Sequence, residues 1–109
     1  MIIVTPLHWY YRPEHLEHVI GEMQRRGAPR IRAYFDGQVW YAKEGTHRLR
    51  AALALALTPV MLPERWGRSE EAYQRAQWAA LRNGHVFKTV GVEGDVAHLI
   101  ARRRHAQCS

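Results

Sequence analysis

Between residues 30 and 57 the spacing of apolar side chains changes from two to between three and four, and the change falls on one glycine. Arg30 to Phe35 and Gln38 to Ala42 alternate as strands with one buried face do. Asp36-Gly37 between them favours a two-residue hairpin turn, which predicts Phe35 opposite Gln38, Ala33 opposite Trp40 and Ile31 opposite Ala42. Beyond Gly45, Leu49, Ala52, Leu53, Ala56 and Leu57 recur at helical intervals. A strand that turns sharply into a helix needs a residue without Cβ at the corner, and Gly45 provides it. The stretch Glu44 to Ala52 thus opens a helix whose first N–H groups have no intrahelical partner. Those donors and the positive end of the helix dipole suit an anion, and His47, Arg48 and Arg50 crowd the same turn with further donors. Phosphate is the expected ligand.

The run from Asp36 to Pro63, DGQVWYAKEGTHRLRAALALALTPVMLP, resembles the ParB/sulfiredoxin-like domain. That family's hallmark is a strand, then Gly-x-x-Arg or Gly-x-His-Arg opening a helix, then a short strand. Gly45, His47, Arg48, Ala51 and Ala52 match together, and Arg12-Pro13 with the helix after it fits the same layout. The resemblance covers roughly residues 1–66 and leaves 67–109 as a C-terminal extension. It implies a small α+β fold, a mixed β-sheet with packed helices. It also implies a turn that holds the phosphates of ATP or CTP through Gly45, Thr46, His47, Arg48 and Arg12. Sulfiredoxins carry a catalytic Cys where this chain has Thr46, so sulfinic-acid repair is lost. Chromosome-partitioning ParB proteins show an acidic residue and two arginines after the Gly and then a helix-turn-helix reader. Here Thr46 and His47 replace the first two, and the remaining chain is too short for that reader. Free serine kinases of this fold place an Asp before the Gly, where Glu44 stands here.

Sixteen Lys and Arg against ten Asp and Glu leave a net charge of +6, which favours phosphate-rich partners. At 109 residues and 47% hydrophobic content, one domain and one core are expected. The single cysteine, Cys108, excludes an intrachain disulfide framework and a thiolate metal site. No run approaches membrane-spanning length and the first residues lack a basic leader, so a soluble, cytoplasmic protein is expected.

The other segments read as support. Ile2 to Val4 is a short strand, followed by a loop with His8, Trp9, Tyr10 and Tyr11, whose rings either cover the core or stack a base. Pro13 starts a helix with Leu16, Val19, Ile20 and Met23 inward, closed by Gly27. His15 and His18 lie on a solvated flank of that helix, since His-Leu-Glu-His is not a zinc-hydrolase order. Thr58 to Pro63 is a buried strand bracketed by prolines near a sheet edge. A loop with Arg65, Trp66 and Arg68 follows, placed by the family layout beside the phosphate turn. Ser69 caps a helix with Tyr73, Ala76, Ala80 and Leu81 inward, stopped at Asn83-Gly84. Val86, Val90 and Val92 alternate as a last strand, and Asp95 caps a final helix with Val96, Leu99 and Ile100 inward.

Function follows as an expectation with alternatives. The first is a nucleotide-binding module acting on or near DNA, with NTP hydrolysis or nuclease chemistry in which Glu44 holds Mg²⁺ or orients water and His47 transfers a proton. Arg30, Arg32 and Lys43 on the exposed hairpin face, with Arg102, Arg103 and Arg104 at the end of the last helix, form the expected DNA-contacting set. A homodimer is compatible with this reading. The alternatives are a small-molecule kinase of the free-serine type and a non-catalytic DNA-associated module.

Overall fold

The computed structural model describes residues 2–65, 67–82 and 87–108, with backbone only for residues 87 and 104–108. Trp66, Asn83, Gly84 and Val86 therefore lie outside the described residues, as does the side chain of Arg104. The elements run β1 (Ile2–Pro6), α1 (Pro13–Arg26), β2 (Arg30–Phe35), β3 (Trp40–Ala42), α2 (Thr46–Leu55), β4 (Val60–Pro63), α3 (Glu70–Leu81), β5 (Phe87–Thr89) and α4 (Glu93–Cys108). The strands form one mixed sheet in the order β4-β2-β3-β1-β5, with only β2 and β3 antiparallel. The fold is a small α+β fold, as expected.

Alternation along the strands sets the faces. Ile2 and Val4, Ile31 and Ala33, Trp40 and Ala42, and Met61 are buried on one side, with Leu49 of α2 and Ala76 of α3 packed on them. A second apolar layer joins α1, α2 and α4 through Leu16, Met23, Ala51, Ala52, Ala54 and Val96. The three alanines let the helices approach closely, and α2 is the shared member of both layers. On the opposite sheet face Arg30, Arg32, Tyr34, Tyr41, Lys43, Ile3, Thr5 and Lys88 stand in register, and none of them is buried.

Four expectations are corrected. The hairpin pairs Phe35 with Trp40, Tyr34 with Tyr41 and Ala33 with Ala42, two residues away from the tight-turn register. Asp36 causes the slip: its Oδ1 accepts from the N–H groups of Gln38 and Val39 at 2.8 and 2.7 Å, and its Oδ2 from the Tyr41 hydroxyl at 3.0 Å. That local network favours a longer loop over the two-residue turn, and a slip of two keeps every side chain on its face. The last strand is Phe87–Thr89, with Val90 exposed and Val92 buried as the lead into α4. Asp95 sits inside the first turn of α4 rather than before it, and its carboxylate pairs with an arginine. Leu81 is exposed rather than inward, as is Trp78. Ser69 does cap α3, accepting from Ala72 N–H at 3.2 Å. Among the described residues no helix is long and apolar enough to cross a membrane.

Candidate phosphate-binding turn

Gly45 takes a left-handed conformation, φ 86° and ψ 34°, immediately before α2. Such a φ is costly with a Cβ, which explains the glycine at this corner. The first intrahelical bond runs from Leu49 N–H to Gly45 O, so the N–H groups of Thr46, His47 and Arg48 precede the ladder. Gly45 at the cap position has no side chain to give them, and no acidic residue stands in the first turn. A recess of about 230 Å³ opens beside Gly45 and Thr46, lined also by Pro6, His8, Lys43 and Glu44. Lys43 brings a cation to it and Glu44 a carboxylate.

The other candidate residues diverge from this recess. Arg48 runs back past Gly45, and its Nη1 donates to the Arg30 carbonyl at 3.2 Å, at the far corner between α1 and β2. His47 turns toward α1: its Nε2 accepts from Arg12 N–H at 3.0 Å, and its ring lies edge-on to His15, 4.6 Å between centroids, and to Tyr11 at 6.3 Å. Nε2 is therefore unprotonated. Burial, then the charges of His15, Arg50 and Arg12, hold the His47 pKa below the ordinary histidine value. Thr46 gives its hydroxyl and carbonyl to Arg50. Arg12 contributes a backbone donor to His47. Among the described residues no group of three His, Cys, Asp or Glu is arranged for a metal ion.

Arg50, which the sequence places among the turn's donors, is instead buried, 1% exposed. Its Nε and Nη2 meet Asp95 Oδ2 at 3.0 and 2.9 Å, its Nη2 donates to Trp9 O at 3.0 Å, and its guanidinium lies 4.1 Å above the Tyr11 ring. This one side chain ties the aromatic loop after β1, the start of α2 and the start of α4 into a single unit. Of the loop's aromatics, Tyr11 lies beneath Arg50 and Trp9 rests against Gly91 with about half of its surface exposed, while Tyr10 is exposed. No spacing rule marks an arginine on an otherwise apolar helix as internal.

No protein-family model, no curated protein and no solved structure matches the chain. The site therefore rests on its own geometry.

The expected DNA-contacting residues are spread over the surface. Arg30 and Arg32 stand on the open sheet face, Arg32 paired with Glu64 at 3.7 Å, and Lys43 reaches the recess. Arg102 is exposed, whereas Arg103 is half-buried and its Nε has no hydrogen-bond partner among the described residues. Arg65 pairs with Glu70 at 2.5 Å and covers the Tyr73 ring, so it serves the base of α3 and does not line the recess at Gly45.

Proposed function

We propose that the chain is a ParB-like phosphate-binding module that receives the phosphates of a nucleoside triphosphate, ATP or CTP, at the start of α2, on or near DNA. One observation carries the reading: a left-handed Gly45 exposes uncapped helix N–H groups to a recess that Lys43 lines. The recess is smaller than ordinary ligand pockets of about 300–1,000 Å³. It suits a phosphate group, with ribose and base outside over the loop of His8 and Tyr10. Glu44, at the rim, fits a Mg²⁺ ion shared with phosphate oxygens, since such sites take one or two carboxylates and substrate oxygens. His47 is engaged with Arg12 and acts as a strut; proton transfer is assigned to Glu44 or to water held there. The net charge of +6 and the cations of the open sheet face support proximity to DNA.

Calorimetric titration with ATP and CTP, with and without Mg²⁺, tests the site. Lys43→Met is expected to weaken binding by about 1.5–3 kcal/mol, the scale of a hydrogen bond to a charged group. Glu44→Gln is expected to tighten metal-free binding and to remove the gain from Mg²⁺. Unchanged affinity in Lys43→Met sinks the reading. DNA association is tested by titrating a labelled duplex and single strand at two salt concentrations, with steep weakening at higher salt expected.

A further inference from the structure

The geometry points to a second anion site, separate from the turn at Gly45, for a phosphate monoester carried on an apolar body. A cavity of about 510 Å³ lies at the corner between α1 and β2. Arg26 comes to it from the end of α1, Arg30 from the start of β2 and Arg48 across from α2. Val19 and Met23 supply apolar lining, and Pro29 shapes the rim. The size falls within the range of small-molecule pockets.

The charge at this corner exceeds what the fold requires. The end of α1 carries about half a negative charge from its dipole, and Arg25, in the same last turn but outside the cavity, already answers it. Among the described residues Glu22 is the one carboxylate lining the cavity, and it pairs with His18 at 3.3 Å. None of Arg26, Arg30 and Arg48 has an ion-pair partner among the described residues. Arg48 uses one nitrogen on the Arg30 carbonyl, which fixes its direction and leaves the rest of its fork for a ligand. The guanidiniums that Arg26 and Arg48 bring to this corner match the tetrahedral oxygens of a phosphate better than any neutral group, through paired N–H donors, while Arg30 enters through the carbonyl that holds Arg48. The apolar lining beside them sets the second requirement, a ligand with hydrocarbon attached to its phosphate.

This site stands whether or not the Gly45 turn holds a nucleotide. The test is titration of the full chain with phenyl phosphate and with inorganic phosphate, followed by NMR of backbone amides and arginine side-chain Nε–H groups. Saturable shifts at Gly27, Ala28 and the Arg26 and Arg48 side chains are expected, with phenyl phosphate about tenfold tighter than inorganic phosphate. Arg48→Met and Arg26→Met are each expected to weaken binding about tenfold or more, while Arg25→Met leaves it unchanged. Equal weakening by Arg25→Met would reduce the effect to general charge and overturn the site. So would equal affinities for the two phosphates, or shifts confined to residues 43–48.

Discussion

Arg50 and Gly91 are the two positions where a single substitution should be most informative. A buried guanidinium is tolerable only because every side of it is answered, by Asp95, by the Trp9 carbonyl, by Thr46 and by the Tyr11 ring. Removing one partner of such a pair costs about 3–5 kcal/mol, so Arg50→Ala is expected to lower stability on that scale in urea melts. Arg50→Lys should recover only part of the loss, because an ammonium cannot serve Asp95 and Trp9 with one planar fork. Gly91 has φ 89°, and a Cβ there would run into the Trp9 indole. The backbone strain and the overpacking add, and Gly91→Ala is expected to cost about 2–5 kcal/mol. Combining it with Trp9→Ala should remove the steric part, so the double variant is expected to be less destabilised than the sum of the two singles.

At the scale of elements, the joint between α1 and α2 is pH-sensitive. His47 of α2 accepts the N–H that stands at the start of α1, a bond that its protonated form cannot make. Its folded pKa lies below the ordinary value of 6.5, so between the two values the unfolded chain binds more protons. The stabilisation is complete above 6.5 and declines as pH falls through 6.5 toward the lower folded value. His47→Gln, which keeps an acceptor and does not titrate, is expected to flatten the stability profile between pH 7 and 5, as read from melts at each pH. The elements were legible where periodicity was strong. Leu16 to Met23 marked α1, and alternation from Arg30 to Phe35 marked β2, because burial of one face leaves a period in the sequence. Strand register and the partners of charged side chains leave no such trace. Asp36-Gly37 reads as a tight turn until the carboxylate is seen gathering two N–H groups and a phenol, and Arg50 reads as a surface donor until α4 closes over it. In the candidate site the Gly45 corner was legible from the change of period. The departure of Arg48 toward the α1–β2 corner was not, since a long side chain on a first turn can leave in either direction.

For the whole molecule, residues beyond 66 share the core of the residues before it. β5 pairs with β1, Ala76 of α3 joins the apolar layer on the sheet, and Val96 of α4 joins the layer between the helices. A fragment ending at residue 65 is expected to lack a cooperative thermal transition and to bind a hydrophobic dye, whereas a two-state melt from that fragment would show the extension to be dispensable. The Arg50–Asp95 pair has a further meaning for a chain made from its N-terminus. The carboxylate is synthesised 45 residues after the guanidinium it neutralises. At about 5–20 residues per second, the arginine waits roughly 2–9 s for its partner. During that wait the nascent chain can form its hairpin and first helices but cannot seal Arg50 inside, so final closure is timed by the ribosome's arrival at α4.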